Sequence, residues 1–210
     1  MAERARDRWF SRRSLLLAGL SIPLFCAVGG PPEPTLDVLF DGDNLRVAVP
    51  GLHFLTGKPL ERLMNADTVT YLTQLTVYSD ERGTIFRRIP ERLVVSYDLW
   101  EQKFSVTIPG PYKRSMPNLT AAQAEAWCID QLAISTLGLP PNRPFWLKFE
   151  MRTAERRELA GLVGDSGISL TSLIDIFSHP AGGDLYWSRS AGPLRLRDLP
   201  RTRASRGKIG

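Results

Sequence analysis

The strongest constraint on the fold of this chain is a regular alternation of side chains between residues 68 and 79. The two alternating sets are Thr68, Thr70, Leu72, Gln74 and Thr76, and Val69, Tyr71, Thr73, Leu75 and Val77. The first set is mostly polar and the second mostly apolar. Because successive side chains of a β-strand point to opposite faces of the sheet, the alternation predicts a strand with one face buried.

Other segments with the composition of β-strands surround this one and are joined to it by short turns. They are residues 36–40, 45–49, 85–88, 92–99, 103–108 and 145–151. The first two flank the turn residues 41–44 and predict a hairpin, and Pro90 separates the third from the fourth. Short connections favour antiparallel pairing, so residues 68–108 should form a meander.

Helix signals are fewer than strand signals. Pro59 opens a short helix over residues 59–66. Thr120 and Gln123 form a capping box for a helix that should run to about Leu137 and stop at Gly138. A last amphipathic helix is predicted around residues 170–177. The order of elements predicts an α+β fold: a mostly antiparallel sheet or sandwich of about six to seven strands, packed by two or three helices.

The helix predicted from Thr120 to Leu137 is apolar on nearly all sides. Cys128 lies on the side expected to face the sheet, so we interpret it as a small buried hydrophobic residue. Trp127 and Ile134 lie outside that side. They are therefore our candidates for a surface that contacts a partner.

The first thirty residues have the pattern of an export signal. A head with five arginines precedes 14 apolar residues, 15–28, and then Gly29 and Gly30. The apolar run is shorter than the ~20 residues that span a bilayer, which favours a cleaved signal, although a retained anchor is the alternative. The start of the run resembles the twin-arginine export motif, and its targeting residues are Ser11, Arg12, Arg13, Leu15 and Leu16.

The net charge of +5 is confined to the two ends of the chain. The leader, residues 1–30, carries +3, and residues 195–210 carry +5, which leaves −3 for the part between them. We therefore predict no nucleic-acid partner. We predict one domain over residues 31–199 and a basic disordered tail over 200–210. The leader and tail are also candidates for contact with a membrane surface.

No catalytic or metal-binding motif is found. The only histidines are His53 and His179, and removal of the leader would leave one cysteine, so no zinc-ligand spacing exists. There is no Gly-x-Ser-x-Gly, phosphate loop or dinucleotide fingerprint. Asp98 and Glu101 are close in sequence, but their position indicates a turn. The sequence predicts no catalytic residue, no cofactor and no metal.

The layout resembles an exported bacterial family known only as a domain of unknown function. The segments that carry the resemblance are Gly57-Lys58-Pro59-Leu60, the hairpin 97–104, the aromatic strand 145–149, and residues 173–177 before Trp187. The resemblance spans about residues 36–199. It implies an exported, non-enzymatic protein and carries over no site residues.

These features together predict a non-enzymatic protein of the bacterial envelope. We expect it in the periplasm or at the outer face of the cytoplasmic membrane, as an interaction module or accessory subunit of a membrane complex. An alternative function is a periplasmic carrier that binds an apolar ligand between the sheet and the helices.

Overall fold

The computed structural model describes residues 35–154 and 185–201. All of them belong to the second of the two units into which the chain divides, Glu33–Gly210. The predicted leader, the predicted helix at 170–177, His179 and residues 202–210 of the predicted tail lie outside the described residues.

The described residues confirm the predicted α+β class, with nine strands instead of six or seven. The strands are β1 (Asp37–Phe40), β2 (Asn44–Ala48), β3 (Val69–Tyr78), β4 (Ile85–Asp98), β5 (Lys103–Ile108), β6 (Arg114–Leu119), β7 (Ala133–Ser135), β8 (Phe145–Thr153) and β9 (Tyr186–Leu194). The helices are α1 (Gly57–Met64), α2 (Ala121–Asp130) and a 3-10 turn at Leu196–Asp198.

The strands form two antiparallel sheets, in the orders β1-β2-β7 and β6-β5-β4-β3-β8-β9. The predicted meander is confirmed, because β3, β4 and β5 are neighbours in sequence order. The predicted hairpin of β1 and β2 is also confirmed. At its turn, the Asp41 carboxylate accepts the N–H of Asn44 at 2.8 Å, which is the local hydrogen bond that favours Asp in turns.

The apolar core lies between the larger sheet, the smaller sheet and the helices. Helix α2 contacts β5 of the larger sheet and β2 of the smaller one, and α1 contacts β3 and β4. Side chains with no exposed surface come from every layer: Tyr71 from β3, Leu93 from β4, Leu45 from β2 and Ile134 from β7. The two sheets therefore share one core.

The predicted central strand is confirmed, but both of its faces are buried. Tyr71 and Leu75 point into the core, and Thr70, Gln74 and Thr76 on the opposite face are exposed by no more than 6%. The prediction that only one face is buried was wrong. Alternation of polar and apolar residues shows that the strand has two different faces. It does not show whether the polar face contacts solvent or other parts of the protein.

Strand β4 continues through Pro90, where two separate strands were predicted. Pro90 lies opposite Gln74 of β3, in unbroken register from Val95 to Arg87. On its other side, β4 pairs with β5 only from Val94 to Asp98. Among the described strands, the stretch around Pro90 therefore has an open edge, where a residue without an N–H is tolerated.

Helix α2 ends at Asp130, seven residues before the predicted end at Leu137. The chain then turns and forms β7, whose Ile134 pairs with Leu45 of β2. The prediction of a single helix was wrong because the pairing of β7 with β2, distant in sequence, overrides the local helical pattern. The predicted capping box is confirmed: Thr120 Oγ1 accepts the N–H of Gln123, and Gln123 Oε1 accepts the N–H of Thr120.

Strands β6 and β9 were not predicted. Both lie at edges of the larger sheet as described, and each contains a proline, Pro117 or Pro193. Edge strands need few buried side chains, so they lack the alternation that identifies β3. Pro200 also joins the fold, because its carbonyl accepts the N–H of Phe40 at 3.0 Å.

Candidate interaction site

The turn between β4 and β5 presents two large apolar side chains to solvent. Trp100 is 96% exposed and Leu99 is 50% exposed. We call the turn residues 98–103 the Trp100 tip. Scattered exposed apolar residues are ordinary, but an almost fully exposed tryptophan beside a leucine is costly in water and typical of a contact surface.

The Trp100 tip has a defined conformation. Asp98 Oδ1 accepts the backbone N–H of Trp100 at 2.8 Å and that of Glu101 at 3.0 Å. At the base of the hairpin, the rings of Tyr97 and Phe104 pack with their centroids 4.8 Å apart. The interpretation of Asp98 as a turn residue is confirmed. These contacts hold the tip before any partner binds, which lowers the entropic cost of association.

The charges around the Trp100 tip are mixed and slightly negative. Asp98 and Glu101 are acidic and Lys103 is basic, which leaves a formal charge of −1 within the tip. An anionic membrane surface attracts clusters of basic residues, and the tip has none. Its electrostatics fit a protein surface better than an anionic lipid surface.

The two residues predicted to form a partner surface do not form one together. Ile134 belongs to β7 instead of α2 and has no exposed surface. Trp127 is half-buried and packs against the core. The exposed residues of α2 are Ala122, Gln123, Ala126 and Asp130, of which Gln123 and Asp130 are polar. The helix is therefore not apolar on all sides, because the apolar residues that suggested this lie partly in β7.

A second feature, which sequence reasoning missed, joins α2 to the loop before α1. Glu125 is 7% exposed, and its Oε1 accepts the N–H groups of Phe54 at 2.7 Å and Leu55 at 2.8 Å. Its Oε2 lies 3.0 Å from His53 Nδ1. Two backbone donors and a ring nitrogen satisfy the buried carboxylate, so this contact fastens the loop to α2.

The pair of His53 and Glu125 has the geometry of two members of a hydrolytic triad, and the described residues supply no third. A carboxylate on Nδ1 orients an imidazole in many general bases, and the His53 side chain is 68% exposed. Within residues 35–154 and 185–201, no hydrogen bond links His53 to a serine, threonine or cysteine. One signal could have suggested this pair: Glu125 is an acidic residue on the side of α2 that also carries Cys128.

Cys128 is fully buried on α2, as predicted. Burial raises the pKa of its thiol from 9.0 to about 12, and the negative charge of Glu125 adds to the effect. A thiol is nucleophilic only as the thiolate. The Cys128 thiol is therefore protonated at neutral pH, and the residue is part of the apolar core.

Two open grooves lie beside the end of β9 and the 3-10 turn, the first on the side of β8 and the second on the side of β1. One of about 360 Å³ contacts Trp146 and Arg195, and the other, of about 460 Å³, contacts Val38 and Pro200. Both also contact Leu199. Neither lies between the larger sheet and the helices, where a bound apolar ligand was expected.

The predicted targeting residues cannot be compared with the structure, and neither a metal site nor a membrane-spanning helix is found among the described residues. The targeting residues Ser11, Arg12, Arg13, Leu15 and Leu16 lie outside the described residues. Within the described part of the chain, no three acidic, histidine or cysteine side chains are grouped as metal ligands. No helix among these residues is long and apolar enough to cross a membrane.

No family model, curated protein or solved structure matches this chain. The resemblance to an exported family therefore stays a prediction.

Proposed function

We propose that this chain is an exported, non-enzymatic interaction module of the bacterial envelope, and that it contacts a protein partner through the Trp100 tip. The observation that carries the proposal is the 96% exposure of Trp100 on an ordered hairpin. Tryptophan is among the residues that contribute most binding energy in protein interfaces, because it buries a large rigid surface.

The location at the envelope is supported by the leader. Arg12 and Arg13 precede an apolar run with the features of an export signal. The proposed site of action is the periplasm or the outer face of the cytoplasmic membrane. A retained leader would keep the module at the membrane, and a cleaved leader would leave a free periplasmic module.

A protein partner is favoured over a lipid surface by the carboxylates beside Trp100. Asp98 and Glu101 would oppose contact with anionic headgroups. A partner with an apolar pocket and a basic rim would bury Trp100 and Leu99 and attract Glu101.

Photocrosslinking in intact bacteria tests this proposal. A photoreactive residue replaces Leu99 in the full chain, and crosslinked species are identified in the envelope fraction by mass spectrometry. We expect a defined crosslinked species that is reduced at least about tenfold when Trp100→Ala is added, because truncation of an interface tryptophan costs about 2 kcal/mol or more.

Tyr112→Ala is the matched control. Tyr112 is 88% exposed in the turn between β5 and β6, at the opposite end of β5 from the Trp100 tip. It should leave the crosslinked species unchanged. An equal loss in both variants, or the absence of any defined species when Trp100 is retained, would contradict the proposed docking site.

A further inference from the structure

The outer edge of β1 is only partly used in the fold. On one side, β1 pairs with β2 along its whole length. On the other side, the only backbone hydrogen bond among the described residues runs from the N–H of Phe40 to the carbonyl of Pro200. The residues before Pro200 form the 3-10 turn Leu196–Asp198 and do not continue this pairing. The start of β1 therefore has no neighbour strand on its outer side within the described part of the chain.

Val38 presents its backbone N–H and C=O groups to this open edge. In an antiparallel pair, alternate residues bond the neighbouring strand, and the residues between them point both backbone groups away from it. The N–H of Asp41 bonds the carbonyl of Asn44 inside the β1–β2 hairpin, whereas the N–H of Phe40 points outward to Pro200. Val38 lies two residues before Phe40 and therefore points outward as well. Within residues 35–154 and 185–201, neither of its backbone groups has a hydrogen-bond partner on that side.

The second of the two open grooves, of about 460 Å³, gives access to this edge. We call it the β1 groove. Residues 36–39 line one side of it, and Ala191, Leu194, Asp198, Leu199 and Pro200 line the rest. Because successive side chains of a strand point to opposite faces, a wall made of consecutive residues is the edge of the strand, with its backbone. A ligand in the β1 groove can therefore reach the unpaired groups of Val38.

The charged residues that line the β1 groove are both acidic. Asp37 is exposed and forms no ion pair within the described residues. Asp198 is 59% exposed and lies 3.3 Å from Arg197 Nε. An ion pair between two side chains as exposed as these contributes little, so the carboxylate of Asp198 stays accessible. Most of the other lining side chains are aliphatic, which favours a ligand that combines apolar groups with positive charge.

We propose that the β1 groove binds an extended segment of a partner protein, which adds to the edge of β1 as a further strand. The N–H and C=O of Val38 exchange hydrogen bonds with the backbone of this segment. Its apolar side chains lie against Leu36 and Leu194, and a lysine or arginine pairs with Asp37 or Asp198. In strand addition of this kind, main-chain bonds provide the affinity and the side chains provide the specificity.

Two observations favour a strand from a partner protein as the occupant. At Phe40, the same edge already pairs in parallel with Arg201, so its geometry accepts an extended segment. A second copy that paired edge to edge would bring two acidic grooves together, and like charges oppose such pairing. The β1 groove shares no residue with the Trp100 tip, so the two proposals are tested independently.

Titration of the full chain with labelled peptides tests the proposal. The probe is a short peptide of alternating valine and lysine with blocked ends. Fluorescence anisotropy measures its affinity, and NMR measures hydrogen exchange at the Val38 amide. We expect saturable binding that slows exchange of the Val38 N–H. The same peptide with N-methylated backbone amides should bind at least about fivefold more weakly, because it cannot form the strand bonds. A peptide of alternating valine and glutamate should also bind more weakly, because its charges repel the groove.

Two variants of the protein locate the binding site. Val38→Pro removes the outward N–H without removing a bond to β2, and proline is tolerated at an edge position of this kind. It should weaken binding of the lysine peptide at least about threefold. Asp37→Asn/Asp198→Asn changes only exposed side chains, so it keeps the proposal testable if the proline variant does not fold, and it should weaken binding as well. Glu61→Gln/Asp130→Asn removes the same charge from two exposed residues outside the groove and should leave the affinity unchanged.

Several results would overturn the proposal. These are the absence of binding by the lysine peptide, equal binding of its N-methylated form, and unchanged affinity in the asparagine variant. Slow exchange of the Val38 amide without any peptide would also overturn it. In a monomer, shown by sedimentation, that result would mean that another segment of the chain covers the edge, and in a dimer it would identify a second copy as the occupant.

Discussion

Residues with the same side-chain chemistry have different roles in this protein, because the roles depend on which groups surround them in space. Asp98 and Glu125 are both acidic, but Asp98 orders an exposed turn and Glu125 fastens a buried loop to α2. The first role is local and was predicted from the sequence. The second joins residues about 70 positions apart, and no local pattern indicates it.

Gly192 is the residue where the backbone most clearly requires glycine. Its φ is +149°, and it lies in β9 at the point where the pairing of β8 with β9 shifts register. A Cβ atom there would lie 2.5 Å from Trp146 Cδ1 and 3.1 Å from the carbonyl oxygen of Phe145. Glycine is common at such bulges because a backbone or a ring can approach closely.

We expect Gly192→Ala to lower the free energy of unfolding by about 2 kcal/mol or more, because the new methyl group overlaps the indole ring. Urea unfolding monitored by tryptophan fluorescence measures the change. Gly110→Ala is the matched control: Gly110 has φ +155°, but no atom lies within 4 Å of the position that a Cβ atom would take there. Equal losses in the two variants would show that backbone strain, and not the contact with Trp146, requires glycine.

At the scale of elements, helix starts were predicted better than helix ends. The start of α2 depends on a reciprocal contact between Thr120 and Gln123, three residues apart. Its end depends on the capture of Ala133–Ser135 by β2. The start of α2 is determined by residues three apart in the sequence, whereas its end depends on which strand lies beside the helix.

The two helices provide a matched test of capping. Both have a threonine at the N-cap position, but Thr120 accepts the N–H of Gln123 and Thr56 makes no capping bond with its side chain. We expect Thr120→Ala to lower the free energy of unfolding by about 1 kcal/mol. Thr56→Ala should change it by a few tenths at most. Chemical denaturation of both variants checks this difference, and similar losses would contradict the assigned role of the capping box.

At the scale of the whole molecule, burial of Cys128 and Tyr71 in the shared core makes the free energy of unfolding depend on pH in the alkaline range. Burial raises the pKa of Cys128 to about 12 in the folded state, against 9.0 when exposed, and burial also raises the pKa of Tyr71. At a pH between 9.0 and about 12, the Cys128 thiol is protonated in the folded state and ionised in the unfolded state, so the folded state binds more protons. The free energy of unfolding must therefore fall as pH rises from about 9 toward about 12.

Each fully titrating group contributes up to about 1.4 kcal/mol per pH unit to this fall. We expect Cys128→Ala to show a shallower decline between about pH 9 and about pH 11 than the unsubstituted chain, although its stability at neutral pH is lower because of the cavity it creates. Unfolding curves at several pH values measure both slopes. Parallel slopes would show that folding does not raise the pKa of Cys128.

The sequence by itself determined the features that depend on neighbouring residues: the alternation of β3, the turn at Asp41, the capping box at Thr120 and the apolar character around Cys128. Only the tertiary structure decided that β3 is buried on both faces, that β4 continues through Pro90, that Ile134 belongs to a strand, and that Trp100 is left exposed. The physical reason is the separation along the chain of the residues that interact. Backbone turns and side-chain periodicity act over a few residues, whereas strand pairing, burial and exposure depend on segments that meet only after the chain has folded.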